Sequence, residues 1–231
     1  MSKQASILED LRVQYEVAGA SIPAHADVET VKQIDFRLRN AFHWLEKAVT
    51  YLDRLQLPIE HQFDLGHGVV FDGPRFSQGS VGKHTRRNAG FPVLDEINVY
   101  YEISAMKSPS IEVGRSAVGV AQKFLDDAGL QYITQSAADE SGAAAKCCIS
   151  VRPVIAAMIS FHADYLTGLI TVVLVNVDRF DRVALEFPSR SIDDNVLEDL
   201  VRLILGRDDS FLHRASLAGV HGQVSTELVD S

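Results

Sequence analysis

The stretch VIAAMISFHADYLTGLITVVLVNV, residues 154–177, decides the fold of this chain. It is long enough to cross a bilayer, but His162, Asp164 and Gly168 lie near its centre, where a charge costs roughly 2.5–3.5 kcal/mol. The segment from Asp164 to Gly168 has the composition of a turn and divides the stretch into two short apolar runs. The sequence therefore predicts a buried β-hairpin and no membrane span.

Both faces of this predicted hairpin are apolar. Alternate side chains of a strand point to opposite faces, and residues 169–175 are apolar on both, apart from Thr171. We expect a first arm from Lys146 to Ala163, interrupted at Pro153, to pair with a second arm from Leu169 to Val177. One face should be covered by C-terminal helices, and the other by N-terminal helices or a second subunit.

A long amphipathic pattern precedes the β-rich part of the chain. From Val31 to Leu55 apolar residues recur at alternating spacings of three and four, the spacing of a heptad seam, and Pro58 ends the pattern. Further apolar residues widen the stripe beyond what a two-stranded seam buries, so the predicted helix needs two neighbours. The residues predicted to form its interface are Val31, Ile34, Leu38, Phe42, Trp44, Leu45, Val49, Tyr51, Leu52 and Leu55.

A shorter pattern of the same spacing, from Leu8 to Ala18, predicts an earlier helix. The segment Gly19–Ala26 separates the two patterns, which together predict an N-terminal helical hairpin over residues 1–60. The second helix is the longer one, so half of it must dock on the β domain or on another copy. We expect an antiparallel α+β domain over residues 61–209 and a mobile tail over 210–231.

The rest of the chain is β-rich with two further helices. Residues 97–103 alternate apolar and polar side chains, which is typical of a strand with one wet face. Helical patterns end at Gly129 and Gly206, each placed as a left-handed stop. Runs of adjacent strands favour an antiparallel sheet, so the predicted fold class is α+β: a helical hairpin, then a mainly antiparallel sheet flanked by two helices.

Composition limits the partners and the compartment. The chain has 231 residues, a net charge of −9 and 46% apolar residues, enough for a core of ordinary size. An acidic chain repels phosphate backbones unless its bases cluster, so nucleic acid is not an expected partner. The adjacent cysteines, Cys147 and Cys148, are poorly placed to pair, and the first ten residues contain no apolar run. We expect a cytoplasmic protein.

The segment SQGSVGKHT, residues 77–85, comes close to a phosphate-binding loop. It has Ser77 where that motif needs glycine, and His84 where a serine or threonine must follow the lysine. No long helix can follow to aim its amides at a phosphate. We therefore predict a glycine-rich hairpin here rather than a nucleotide-binding loop.

The bases of that hairpin are Lys83, His84, Arg86 and Arg87. If they converge on a concave site, they predict a module that binds an anionic metabolite or nucleotide, with Tyr100 or Tyr101 as a stacking surface. If they spread along a strand, they predict an edge protected from pairing by its charges.

His162 and Asp164 are the candidate catalytic residues, because they share a strand face and a carboxylate can orient a histidine as a general base. No nucleophile motif accompanies them, and Asp164 is also well placed to start a turn. None of the eight histidines lies four residues from another, so the spacing predicts no metal site and no cofactor.

Three functions remain open. The first is a non-enzymatic interaction protein, an adaptor or chaperone-like homodimer, which self-associates through the long helix and presents its sheet to an unidentified protein partner. The second is the anion- or nucleotide-binding module with the basic hairpin 83–87. The third is a hydrolase built on His162 and Asp164. The missing catalytic motifs favour the first.

Overall fold

The computed structural model describes residues 28–88, 91–136 and 146–220. Its elements in chain order are α1 (Val28–Leu55), β1 (Arg75–Asn88), β2 (Phe91–Ser104), β3 (Ser110–Gly114), α2 (Val118–Asp127), β4 (Tyr132–Ser136), β5 (Lys146–Val151), β6 (Val154–Asp164), β7 (Leu169–Val175), β8 (Arg182–Pro188), a 3₁₀ turn (Ser189–Ser191), α3 (Asp194–Ile204), α4 (Ser210–His213) and β9 (Ser216–Val220). The α+β class, the antiparallel sheet and the long helix are confirmed. The earlier helix of the predicted hairpin lies outside the described residues.

The predicted hairpin of residues 154–177 forms the middle of the larger sheet, whose strand order is β1-β2-β6-β7-β8-β9. β6 and β7 pair from Met158 opposite Val175 to Asp164 opposite Leu169. The turn between them closes with a 3.0 Å hydrogen bond from the Gly168 N–H to the Asp164 carbonyl, and Gly168 has a φ of +73°. A glycine adopts this left-handed conformation without strain, which explains the abrupt reversal of the chain.

One face of the large sheet is closed by helices. α1 packs across β1 and β2 and also contacts α3, and it buries Ile34, Leu38, Ala41, Phe42, Leu45, Val49 and Leu52. Helix α3 is capped by Asp193, whose side chain accepts a 3.0 Å hydrogen bond from the Val196 N–H, and the helix buries an apolar side as well. This closed face holds most of the core, as expected for an amphipathic helix against a sheet.

α1 lies very close to β1 near Gly79. A β-carbon at Gly79 would come within 2.6 Å of the Val49 side chain and 2.8 Å of the Phe76 ring. Only glycine permits this approach. The sequence predicts a glycine-rich hairpin over residues 77–85, but the whole segment lies within β1, a strand of 14 residues that the helix supports along one face.

A second sheet is inserted between β2 and β6. Its strand order is β3-β5-β4, and α2 lies between β3 and β4 in the chain. The segment that leaves β2 and the segment that leads into β6 lie side by side. The Ala105 N–H donates to the Pro153 carbonyl at 2.8 Å, and the Val151 N–H donates to the Pro109 carbonyl at 2.9 Å. β5 was expected to be part of the first hairpin arm. The expected interruption at Pro153 is instead a change from one sheet to the other.

The chain beyond residue 209 contains further ordered structure. Phe211 of α4 is buried, with its ring centroid 5.1 Å from that of Phe187, and β9 pairs with β8. Residues 210–220 therefore differ from the expected mobile tail, because an aromatic anchor and an edge strand attach them to the large sheet. Residues 221–231 lie outside the described part of the chain.

Candidate interaction surfaces

The large sheet has a second face, which we call the open face. Helices α1, α3 and α4 lie on the closed face, whereas on the open face Tyr100 is 48% exposed and His162 is also exposed. Its middle carries an apolar centre, made of Met158, Val173, Val175 and Ala184. Both faces of the hairpin were expected to be covered. Among the described residues only the closed face is covered by helices.

A polar row borders the apolar centre. Five residues lie opposite one another in register across β1, β2, β6, β7 and β8: His84, Glu96, His162, Thr171 and Glu186. Their side chains share the open face because paired residues of a sheet point the same way. The row begins with a base, His84, and ends with a carboxylate, Glu186.

Hydrogen bonds connect this row to its neighbours. The Ser160 hydroxyl donates to Asn98 Oδ1 at 2.5 Å, and Asn98 Nδ2 donates to Glu96 Oε1 at 2.8 Å. Nδ1 of His162 lies 3.9 Å from the same Glu96 oxygen. Glu96, Asn98 and Ser160 were not identified from the sequence. The alternation of residues 97–103 predicts a wet face on β2. The inserted sheet separates β2 from β6 in the chain, so no local sequence pattern indicates that these two strands pair.

Asp164 does not orient His162. Its carboxylate accepts hydrogen bonds from the Leu166 N–H at 2.9 Å and from the Thr167 hydroxyl at 2.7 Å. Partial burial acts to raise the pKa of this carboxyl, but the hydrogen bonds from Thr167 and Leu166 outweigh it and hold the pKa below its usual value. Asp164 therefore serves as the turn starter, and Glu96 is the carboxylate that faces His162.

The four bases of residues 83–87 do not converge on a common site. Lys83 Nζ lies 4.1 Å from the centroid of the Phe42 ring on the α1 side, whereas His84 points to the open face opposite Glu96. Arg86 Nε lies 2.8 Å from Asp95 Oδ1, and Arg87 is exposed. The arrangement is that of an edge strand with its charges distributed on both sides.

The aromatic residues proposed to stack on a ligand are also separated. Tyr100 is exposed on the open face, but Tyr101 is buried on the closed face, where its ring stacks on Phe76 at 4.8 Å. Burial raises the pKa of Tyr101 far above its usual value. Tyr101 is therefore a core residue, and only Tyr100 is accessible to a ligand or partner.

Most of the predicted α1 interface is buried within the chain itself. The six fully buried members are Ile34, Leu38, Phe42, Leu45, Val49 and Leu52. Val31 and Trp44 are partly buried against the same core, while Tyr51 is 61% and Leu55 64% exposed. Phe36, which the seam did not include, is 61% exposed. Together with Val28, which is 63% exposed, these are the large apolar side chains of α1 that a second copy could reach.

A partly buried clamp ties α1 to β2 and to the β6–β7 turn. The Tyr165 hydroxyl donates to the Leu94 carbonyl at 2.6 Å, and the Leu94 N–H donates to Asp35 Oδ1 at 2.7 Å. Arg39 Nε lies 2.7 Å from the other Asp35 oxygen, and Arg39 Nη2 donates to the Pro92 carbonyl at 3.2 Å. Burial raises the pKa of Tyr165, so its hydroxyl remains a donor at neutral pH. The clamp fixes the helix on the sheet.

The part of the chain that the structure describes contains no cluster of three or more His, Cys, Asp or Glu side chains suited to a metal ion. No helix within that part is long and apolar enough to cross a membrane. Cys147 is buried and Cys148 half-buried, and both are free thiols.

No protein-family model matches this chain, and neither a curated protein nor a solved structure matches it. Its function must therefore be inferred from its own surfaces.

Proposed function

We propose that this chain is a protein-interaction protein that self-associates through the open face of its large sheet, rather than an enzyme. The observation that carries the proposal is the apolar centre of that face, with Met158 and Val175 half-buried and Tyr100 exposed beside them. Apolar side chains in the middle of a surface with a polar rim are typical of a protein interface. The adaptor or chaperone-like role expected from the sequence would use the same face.

The polar row supports a second copy as the occupant. Two-fold interfaces bring the same patch of each copy together. A two-fold axis near His162 reverses the row, which sets one copy's His84 opposite the partner's Glu186 and its Glu96 opposite the partner's Thr171. The two ends of the row therefore place a base opposite a carboxylate, and two such faces can pack as aligned sheets about 30° apart.

Light scattering on the full chain and on two matched variants tests this proposal. We expect the wild-type chain to have the mass of a dimer. Val175→Glu, on the open face, should give a monomer because it places a charge in the apolar centre. Tyr51→Glu, on the outer side of α1, should remain a dimer.

Two results would reject the open face as the interface. A wild-type monomer would remove self-association altogether. A dimer that dissociates with Tyr51→Glu but survives Val175→Glu would return the interface to the long helix, as the heptad pattern first indicated. Thermal melting of both variants checks that each one is folded.

A second candidate function is hydrolysis at His162, favoured by the contact of its Nδ1 with Glu96. His43 provides a matched control, because its Nδ1 also lies near a carboxylate, 3.2 Å from Glu46 Oε2, but on the exposed side of α1. If the chain hydrolyses activated esters and His162→Ala abolishes the activity while His43→Ala does not, the open face is catalytic. If both variants hydrolyse the ester at the same rate, the activity is the non-specific reactivity of exposed imidazoles, and hydrolysis at His162 is rejected.

A further inference from the structure

The edge of the large sheet at β1 is available for pairing. β1 is the last strand in the sheet order, and within the described residues it pairs with β2 and, at its first residue Arg75, with Pro58 in an isolated bridge. Its first residues are partly covered, since the Phe76 N–H donates to the Leu57 carbonyl and the Gly79 N–H to Asp53. From Ser80 onwards the outward backbone groups of this edge have no neighbouring strand among the described residues. Such an edge is a template for one more strand.

This edge is basic in an acidic protein. β1 contains Arg75, Lys83, Arg86 and Arg87 and no carboxylate, whereas the whole chain has a net charge of −9. Arg86 is paired with Asp95, but Lys83 contacts an aromatic ring and Arg87 is exposed. The local charge is therefore opposite to that of the chain as a whole, and it is concentrated where the backbone is unpaired.

The edge is also held in place before a partner arrives. α1 supports the closed side of β1, and Lys83 and Arg86 are fixed by the Phe42 ring and the Asp95 carboxylate. A strand that is already ordered loses little conformational entropy when it binds, so more of the interaction energy appears as affinity.

We infer that the β1 edge, over residues 80–87, is a docking site for an acidic, extended peptide segment of another protein, which adds to the large sheet as an outer strand. Backbone hydrogen bonds would give the affinity, and carboxylates alternating along the peptide would meet Lys83 and Arg87. This inference uses a different surface from the open face and does not depend on the proposed dimer.

Two other occupants fit this edge less well. A second copy would place β1 against β1 and bring bases against bases, and like charges opposite each other in a sheet are destabilising. A nucleic acid would meet the repulsion of a chain with a net charge of −9 beyond this one strand, and it has no backbone amides to complete a sheet.

Fluorescence anisotropy with a labelled acetyl-EVEVEVEV-amide peptide tests the inference on the full chain. We expect saturable binding that weakens with added salt, because screening reduces the attraction of exposed charges. Arg87→Glu should weaken binding about fivefold, in line with the size of surface charge interactions. Arg115→Glu, an exposed site in the turn before α2, changes the net charge equally and should leave binding unchanged.

A second peptide distinguishes strand addition from simple attraction of charges. It has the same sequence but is N-methylated at two adjacent central residues, so that each edge of the peptide loses a hydrogen-bond donor. We expect its affinity to fall by about two- to tenfold, because the peptide edge that pairs with β1 loses one backbone hydrogen bond.

Several outcomes would overturn the inference. Equal binding of the two peptides would show attraction without strand pairing, and an equal loss in Arg87→Glu and Arg115→Glu would show an effect of net charge alone. No binding of the acidic peptide, or binding of a single-stranded thymidine octamer in its place, would exclude an acidic peptide as the occupant.

Discussion

The two faces of the large sheet are built from the same strands but differ in their chemistry. On the closed face Ile97, Phe161 and Val172 are completely buried under the helices. Their sequence neighbours on the open face, such as Asn98, His162 and Thr171, are polar, and Asn98 is hydrogen-bonded to both Glu96 and Ser160. The closed face stabilises the fold, whereas the open face is free to meet water or another chain.

The largest expected effect compares a buried and an exposed leucine on the same helix. Leu45 of α1 is 1% exposed, whereas Leu55 at its end is 64% exposed. Leu45→Ala should lower the free energy of unfolding by about 2–5 kcal/mol, because it leaves a cavity against the sheet. Leu55→Ala should change it by less than about 0.5 kcal/mol. Urea unfolding followed by circular dichroism measures both.

Equal effects of the two leucine substitutions would contradict this account of α1. If both were small, the helix would not be packed on its own sheet. If Leu55→Ala were the costly one, the outer side of the helix would be covered, and the predicted seam would lie between subunits.

The α1 pattern shows how far sequence reasoning extends. Heptad spacing predicts that a stripe is buried, and Ile34, Leu38 and Leu45 are buried. The spacing contains no information on what covers the stripe, because a sheet in the same chain and a helix of another copy satisfy it equally. The choice depends on strands that lie far away in sequence, and those strands pair over distances that no local pattern records.

The hairpin of residues 154–177 and the His162 site show the same limit. Asp164 and Gly168 are local turn signals, so the β6–β7 pair could be predicted from the sequence. The partner of His162 could not, because Glu96 lies beyond the whole inserted sheet and is brought close only by the pairing of β2 with β6. Asp164, the carboxylate nearest to His162 in sequence, instead accepts hydrogen bonds from Leu166 and Thr167 of its own turn.

A smaller effect is expected from two tyrosines on different faces. Tyr165→Phe removes the buried hydrogen bond from the Tyr165 hydroxyl to the Leu94 carbonyl. The free energy of unfolding should fall by about 1–2 kcal/mol. Tyr100→Phe, on the open face, should be close to neutral. Denaturant unfolding measures both variants, and an equal loss in both would mean that the clamp contributes nothing specific.

The smallest expected effect concerns two aspartates that follow the central strands. Burial, and next the nearby Asp178 carboxylate, raise the pKa of Asp181 to about 6, against the opposing effect of Arg179. The folded chain therefore holds a proton that the unfolded chain has released above about pH 4, so this group makes stability fall as the pH rises through about 6. Asp164, with its lowered pKa, has the opposite sign and loses its contribution as the pH falls.

Unfolding at a series of pH values separates the two aspartates. Asp181→Asn should reduce the fall in the free energy of unfolding between about pH 4 and 7. It should raise that free energy at pH 7 by only about 1 kcal/mol, because the site is partly open to solvent. Asp164→Asn should instead reduce the pH dependence of the free energy of unfolding in the acid range alone. If the Asp181→Asn profile runs parallel to that of the wild type, the carboxyl titrates normally and the β7–β8 turn does not bury its charge.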